Sequence, residues 1–193
     1  MSLEVRPATA DLWDDIRQVL QPKKSAHTCW CMAWRLSTGE YGRLTADERG
    51  EHLRGLMEKA DPPPGVLGFL DGEVAGWCNV APRRQLDRLT SSKTITPVDD
   101  LPVWSVTCFV VRKDFRGKGV ASGLLEGAVE HARAHGAPAV EGYPVDPEGG
   151  RVNPTLAYVG TMDMFERAGF RRVHRTEAKS DKRHRWVMRR DLA

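Results

Sequence analysis

A basic segment punctuated by glycine follows the most β-rich run of the chain. Residues 106–111 are apolar or β-branched, and the turn Arg116-Gly117-Lys118-Gly119-Val120-Ala121 comes shortly after them. Apolar residues then recur at three- and four-residue spacing, which predicts a helix that begins at this turn. Unpaired N–H groups and the positive end of a helix dipole attract anions, and glycine lets a phosphate approach the backbone closely. The pattern therefore predicts an anion site, to which Arg116 and Lys118 add positive charge.

Two commoner phosphate-binding patterns do not fit this turn. Lys118 is not followed by Ser or Thr, as a G-x-x-x-x-G-K-[ST] loop requires, and no G-x-G-x-x-G comes directly after the strand. The turn instead resembles the R/Q-x-x-G-x-G/A signature of the GNAT (GCN5-related) N-acetyltransferase superfamily, as Arg116-x-x-Gly119-x-Ala121. The later segment Phe165-Glu166-Arg167-Ala168-Gly169-Phe170 resembles a second signature of that family. The resemblance spans most of the chain and is strongest between residues 66 and 170.

The resemblance implies acetyl-CoA as the co-substrate, with its pyrophosphate on the turn, and no metal. In this family two parallel strands splay apart and the pantetheine arm enters the cleft; by position these strands are residues 104–111 and 139–144. The backbone of Phe109 and Val111 would pair with that arm. The implied acetyl-CoA-binding residues are Phe109, Val110, Val111, Arg116, Gly117, Lys118, Gly119, Val120, Ala121 and Ser122.

The tyrosine that many members use to protonate the leaving thiolate is replaced by Phe165. A phenyl ring cannot donate a proton, so Tyr158 and Tyr143 become the candidate acids, each with the alternative role of a core aromatic. Glu141 is the candidate base beside the cleft, unless strand alternation turns it to solvent. A water relay, or an amine that arrives neutral, remains an alternative to a protein base.

Tryptophans and cysteines lie where the family often binds its acceptor. Trp30 and Trp34, together with Trp104, are the predicted substrate-binding residues, and packing in the core is their alternative role. Cys108 on the splayed strand suggests a covalent route, although a small buried residue is the stronger interpretation. The Cys29-Trp30-Cys31 segment lacks a second spaced ligand pair and is a weak metal signal.

Composition indicates an ordinary soluble domain covering residues 1–193. Of its 193 residues 40% are apolar, and the formal net charge of +3 is too small to indicate a nucleic-acid partner. The basic residues after position 170 are expected to form a solvated edge. No stretch approaches the roughly 18 apolar residues of a membrane span, and the first residues contain no apolar signal core. We therefore expect a cytoplasmic monomer or homodimer with reduced cysteines, without nucleic-acid or membrane partners.

The predicted fold is α/β (α+β), the GNAT acyl-CoA N-acyltransferase fold. Its sheet should be mixed and mostly antiparallel, with helices on both faces. Asp71-Gly72 predicts a two-residue hairpin, and Thr45 with Glu48 predicts a capping box at a helix N-terminus. Other predicted features are an irregular segment at 23–43, an insertion or flap at 82–102, a helix at 155–168 and final strands at 171–175 and 185–189.

The resemblance to the GNAT superfamily implies an N-acetyltransferase. We expect direct transfer of the acetyl group of acetyl-CoA, in a ternary complex, to a primary amine acceptor that is a small molecule. Two alternatives remain at this stage. One is acetylation of a protein lysine or N-terminus, and the other is a non-catalytic acyl-CoA-binding regulator, which the replacement at Phe165 makes conceivable.

Overall fold

The computed structural model describes residues 2–21, 23, 25, 27–150 and 154–192, and the described chain contains one seven-stranded sheet. The strands are β1 Leu3–Pro7, β2 Gly65–Leu70, β3 Glu73–Pro82, β4 Trp104–Val111, β5 Ala139–Gly142, β6 Arg171–Ser180 and β7 Arg183–Asp191. Their order across the sheet is β1-β2-β3-β4-β5-β7-β6. Every neighbouring pair is antiparallel except β4 and β5, which are parallel. The predicted mixed and mostly antiparallel sheet is confirmed.

Seven α-helices accompany the sheet in the described part of the chain. They are α1 Trp13–Leu20, α2 Met32–Arg35, α3 Thr38–Arg43, α4 Ala46–Lys59, α5 Asp87–Thr90, α6 Val120–Ala134 and α7 Met162–Arg167. The predicted capping box opens α4, where the Thr45 hydroxyl accepts from the Glu48 N–H and the Glu48 carboxylate accepts from the Thr45 N–H at 2.7 Å. No helix among the described residues has the length and apolar character needed to cross a membrane.

Side-chain alternation along β2 and β3 divides the core between the two faces of the sheet. Val66 and Cys78 pack in a cluster with α6, whereas Leu67 and Trp77 pack in a cluster with α1 and α4. Successive residues of a strand point to opposite faces, so each face carries its own apolar layer. Helices therefore cover both faces, as predicted.

The parallel strands β4 and β5 separate after a short paired stretch. They share three register pairs, of which the last joins Val106 to Gly142. The chain after β5 then approaches β7, where Val145 forms an isolated bridge with Arg185. A Cβ on Gly142 would overlap the ring of Phe165, which is fully buried. The aromatic ring fills the space beside the end of β5, and the second half of β4 has no strand paired to it on that side among the described residues.

The helix predicted over residues 155–168 is interrupted. The chain forms a 3₁₀ turn at Pro154–Val159 and then begins α7 at the Thr161 cap, whose side chain accepts from a first-turn N–H. Gly160 separates the two elements with a φ of +80°, a left-handed conformation that favours glycine. Tyr158 and Phe165 therefore belong to different elements instead of one helix face.

Two segments that were expected to lack regular structure contain helices. Residues 23–43 contain α2 and α3, and a second capping box, Ser37 with Glu40, opens α3. Residues 82–102 contain α5 and bury Leu86 and Leu89 in a third apolar cluster. Of the two predicted alternatives, an insertion or a flap, the flap is wrong for this segment, because its buried leucines anchor it against the protein.

The final hairpin is also longer than predicted. β6 and β7 extend until only two residues, Asp181 and Lys182, separate them, and both residues have positive φ angles. Two consecutive positive φ values are the geometry of a tight two-residue turn between antiparallel strands. Asp71 and Gly72 form the equivalent predicted turn between β2 and β3.

Gly142 provides a test of the strand separation. We expect Gly142→Ala to lower the free energy of unfolding by about 1–3 kcal/mol, because its methyl group would overlap the buried Phe165 ring. Gly55→Ala is the matched control, since a Cβ on Gly55 in α4 meets nothing within 4 Å. It should stabilise the protein by roughly 0.5–1 kcal/mol. Urea unfolding of both variants measures the difference, and equal stabilities would contradict this packing.

Candidate active site

The loop before α6 leaves the N-terminus of that helix open. Gly119 is the N-cap residue, with a φ of +78°, and no side chain caps the helix. Gly117 also has a positive φ, +74°, and a Cβ on either glycine would meet nothing within 4 Å. First-turn N–H groups of a helix lack intrahelical partners. The loop therefore offers them, in open space, to an anionic group.

A cavity of about 630 Å³, the loop pocket, lies between this loop and β4. Its lining residues are Phe109, Val110, Val111, Phe115, Arg116, Gly117, Gly119, Val120, Ala121, Ser122 and Tyr158. Every acetyl-CoA-binding residue predicted from the sequence belongs to this set except Lys118. The Lys118 Nζ instead lies 5.3 Å from the centre of the Phe115 ring. The loop pocket thus gathers nearly all of the predicted acetyl-CoA site.

A second cavity of about 500 Å³, the tryptophan pocket, lies on the α1 face of the sheet. Its lining residues are Leu20, Thr28, Cys29, Trp30, Cys31, Ala33, Trp34, Arg88, Cys108, Val110, Tyr158 and Arg185. Val110 and Tyr158 line both cavities. These two side chains therefore form a shared wall, at which ligands in the two pockets can meet.

Tyr158 combines an exposed ring with an anchored hydroxyl group. The ring is 37% exposed, and its oxygen accepts a hydrogen bond from Arg185 Nη2 at 3.3 Å. A phenol oxygen that accepts one hydrogen bond retains its own proton for donation. Of the two tyrosines predicted as acids, this one lies at the shared wall.

The three predicted substrate-binding tryptophans do not lie together. Trp30 and Trp34 both line the tryptophan pocket. Trp30 is buried and stacks on Trp13, with ring centres 5.5 Å apart, whereas Trp34 is only half-buried. Trp104 lies in the core cluster beside α6, edge-on to His131 at 5.4 Å. Trp34 is consequently the tryptophan with the most surface available to a ligand in this pocket.

Cys31 and Cys108, which both line the tryptophan pocket, are joined by a hydrogen bond. That bond, with the N–H of Trp77 and the positive charge of Arg35, lowers the pKa of Cys31 against the opposing effect of burial. The same bond, together with burial, raises the pKa of Cys108 well above its usual range. Cys108 is therefore a protonated thiol near neutral pH, which makes it a poor nucleophile for acetyl transfer. Among the described residues, no three His, Cys, Asp or Glu side chains are grouped as metal ligands.

The predicted base and the second predicted acid lie in a buried network that lines neither pocket. The Glu141 carboxylate accepts from Arg189 Nη2 at 2.7 Å, and Arg189 also donates to Asp99. The Tyr143 and Ser105 hydroxyl oxygens are 2.7 Å apart. Burial, followed by the charge of Glu141, raises the pKa of Tyr143. In this arrangement Glu141 and Tyr143 tie β5 to β7 and β4 through satisfied polar contacts.

Arg185 is the residue of the site that the sequence analysis missed. The basic C-terminal segment was expected at a solvated edge, yet the Arg185 side chain is only 7% exposed and borders the tryptophan pocket. Arg183 and Arg185 look alike in the sequence, since both lie in the same run of basic residues. Period-2 alternation places both on the same face of the strand, and it cannot tell whether that face is covered.

A family model described as "Acetyltransferase (GNAT) family" matches residues 13–147, which is more than half of the chain. The chain belongs to the GNAT acetyltransferase family. This membership confirms the resemblance inferred from the Arg116–Ala121 turn and makes the protein an acyltransferase. A sequence search against curated proteins gave no significant match.

Solved structures support the GNAT fold over nearly the entire chain. A polyamine N-acetyltransferase of Drosophila melanogaster, which forms N-acetylagmatine, is 12% identical with a TM-score of 0.59, covering 99% of this chain and 100% of its own. The PaiA N-acetyltransferase of Thermoplasma acidophilum in complex with coenzyme A is 13% identical with a TM-score of 0.54, with full coverage of both chains. A GCN5-related N-acetyltransferase of Kribbella flavida is 19% identical with a TM-score of 0.55, covering 98% of each chain. At these identities the likeness establishes the fold alone.

The open N-terminus of α6 yields a direct test of the GNAT loop. We expect Gly119→Glu to weaken acetyl-CoA binding at least roughly 100-fold, about 2.7 kcal/mol, because a carboxylate would occupy the anion site. Gly136→Glu is the matched control. Gly136 has a φ of +72° and open space around its Cβ position, but it follows the opposite end of α6.

Isothermal titration calorimetry on both folded variants checks this expectation. Both substitutions impose the same left-handed strain on a non-glycine residue, so a general loss of stability should appear in both. Only Gly119→Glu should lose affinity for acetyl-CoA. Wild-type affinity in a folded Gly119→Glu variant would show that this loop does not bind the pyrophosphate.

Proposed function

We propose that this protein transfers the acetyl group of acetyl-CoA to the primary amine of a small molecule, by direct attack in a ternary complex. The observation that carries the proposal is the shared wall of Val110 and Tyr158 between the loop pocket and the tryptophan pocket. Because the two cavities adjoin at these side chains, reactants bound in them would lie next to each other, which removes much of the entropic cost of bringing them together.

The loop pocket is the proposed site for acetyl-CoA, which supplies the reactive thioester. The first-turn N–H groups of α6 and the charge of Arg116 would hold the pyrophosphate. The second half of β4 has no β5 partner beyond Val106, so its backbone edge is available to the amides of the pantetheine arm. The relative from Thermoplasma acidophilum, solved with coenzyme A, supports a coenzyme A substrate for this fold.

The residues at the shared wall favour direct transfer over a covalent enzyme intermediate. Cys108, the cysteine considered for a covalent route, has a pKa raised by its hydrogen bond with Cys31 and by burial, so it remains a thiol. Tyr158 is the proposed general acid for the departing coenzyme A thiolate, because its oxygen is anchored by Arg185 while its proton stays free to be donated.

No described residue that lines either pocket is an aspartate or glutamate. The acceptor amine must be neutral to attack the thioester. We therefore propose that it binds in its neutral form or loses its proton to water. This arrangement predicts no protein carboxylate as the base, in contrast to the role considered for Glu141.

A small-molecule acceptor fits the tryptophan pocket better than a protein does. The cavity of about 500 Å³ is within the usual size range of small-molecule sites, and it is lined by Leu20, Trp30 and Trp34 rather than by an open acidic groove. The Drosophila melanogaster relative, which forms N-acetylagmatine, also supports a small amine as the acceptor. Measured turnover of acetyl-CoA would exclude a purely regulatory role.

Replacement of Tyr158 tests its role as the acid. We expect Tyr158→Phe to lower kcat about tenfold to a hundredfold, because a proton donor used only in the transition state is lost. Affinity for acetyl-CoA should change little. Steady-state thiol release and calorimetry, measured on the same preparation, separate the two quantities.

Tyr143→Phe is the control for that experiment. Its hydroxyl is buried between Ser105, Glu141 and Arg83, so its loss should cost roughly 1–3 kcal/mol of unfolding free energy. Its kcat should remain close to that of the wild type. A fully active Tyr158→Phe beside an inactive but folded Tyr143→Phe would reverse the two assignments.

The half-buried Trp34 tests the acceptor side. We expect Trp34→Ala to raise the acceptor KM roughly tenfold, because an aromatic contact in the pocket is lost, and to leave acetyl-CoA affinity nearly intact. Trp104→Ala, in the core on the other face, should instead cost about 3–5 kcal/mol of stability. Thermal unfolding measured with substrate kinetics distinguishes the two. An unchanged acceptor KM in a folded Trp34→Ala variant would remove Trp34 from the binding site.

A further inference from the structure

Arg185 is a buried cation without a counter-charge among the described residues. Its side chain is 7% exposed, and no described carboxylate forms a salt bridge with it. Its Nε and Nη2 donate to Ser180 Oγ at 3.0 and 2.8 Å, and Nη2 also donates to Tyr158 Oη. Its Nη1 is buried with no hydrogen-bond partner. A buried charge and an unsatisfied buried donor each cost free energy of folding. A ligand that supplies the missing acceptor and negative charge would offset that cost.

A second buried arginine on the same strand shows what a satisfied guanidinium looks like in this protein. Arg189, four residues along β7, is 3% exposed and is paired with both Glu141 and Asp99. Arg35, also buried, lacks a carboxylate but binds the oxygens of Asn79 and Pro64. Arg185 differs from both, because one of its nitrogens has no partner and because its side chain borders a cavity.

The charge of the tryptophan pocket also favours an anionic ligand group. Its lining contains two arginines, Arg185 and the exposed Arg88, and no acidic side chain among the described residues. The remaining lining is largely apolar, with Leu20, Trp34 and Val110. A di- or polycationic amine such as agmatine would be repelled by these arginines. An amine that carries an anionic group beside an apolar group would satisfy the pocket.

We infer that the acceptor is an apolar α-amino acid, whose carboxylate pairs with Arg185 while its amine faces the shared wall. This inference rests on the proposed function, since it names the substrate class of the same site. Arg185 bonds directly to Tyr158, which lies at the wall. The anionic group at Arg185 must therefore be close to the reacting nitrogen, as the carboxylate is in an α-amino acid. The planar fork of arginine also matches a carboxylate in a bidentate contact.

The test uses three substrate sets with the full chain and acetyl-CoA. Leucine, phenylalanine and tryptophan are each compared with the corresponding decarboxylated amine and the corresponding amino-acid amide. We expect kcat/KM for at least one amino acid to exceed that of its amine and its amide by on the order of 100-fold, the effect of a buried charge pair. The amide separates a free amino acid from a peptide N-terminus, which also lacks the carboxylate.

Equilibrium binding keeps this inference separate from the proposed function. The same compounds are titrated into the protein saturated with coenzyme A, which binds the loop pocket without any reaction. An amino acid that binds more tightly than its amine and its amide supports the assignment even if nothing is acetylated. Absence of turnover with every compound would count against the proposed transfer. No preference for the carboxylate in any of the three sets would overturn the assignment of Arg185.

Variants at Arg185 locate the preference. Arg185→Met should reduce the ratio of amino-acid to amine binding toward unity, and Arg185→Lys should restore part of that ratio, because charge returns without the planar fork. The ratio is the readout because Arg185 also holds Tyr158, so either affinity alone can change. Arg175→Met, on the exposed face of β6, is the matched control and should leave the ratio unchanged. A ratio unaltered in folded Arg185→Met would overturn the inference.

Discussion

The contact between the Phe165 ring and Gly142 is the constraint from which the active site of this protein derives. The ring takes the position of a missing side chain at the end of β5, and it is completely buried there. Strands β4 and β5 part at this point, after the pair Val106–Gly142. An unpaired stretch of β4 is what gives the cleft its backbone edge. The Phe165 ring has no proton to donate, so the acid that we propose belongs to another element.

Tyr158, the acid that we propose, lies on a 3₁₀ turn before α7. Gly160 separates this turn from α7. Tyr158 therefore lines the two pockets, whereas Phe165 is buried in the core. Arg185 reaches Tyr158 from β7 on the far side of the separated strands. Three elements distant in sequence thus converge where β5 leaves β4. The separation of β4 and β5 therefore creates the space in which the residues of the candidate site meet.

Local patterns explain which parts of this arrangement the sequence predicts. The glycines of the Arg116–Ala121 turn and the Asp71-Gly72 hairpin depend on backbone conformations that few residues adopt, so their sequence signals are strong. The family resemblance followed from the Arg116–Ala121 turn together with the Phe165–Phe170 segment. No such local signal exists for Arg185, which was overlooked, or for Trp104, which was predicted in the acceptor site but lies in the core. Their surroundings depend on which face of the sheet each occupies and on what covers that face, and neither is encoded in nearby residues.

The loop pocket and the tryptophan pocket adjoin at Val110 and Tyr158, because both residues line the two cavities. A single molecule that passes beside these two residues could therefore reach both cavities. Coenzyme A joined through its sulfur to a compound that fits the tryptophan pocket would occupy both cavities at once. The second half of such a conjugate would bind at the high effective concentration set by a short tether. The two adjoining cavities that would bring the reactants together thus also make the protein a target for bisubstrate inhibitors.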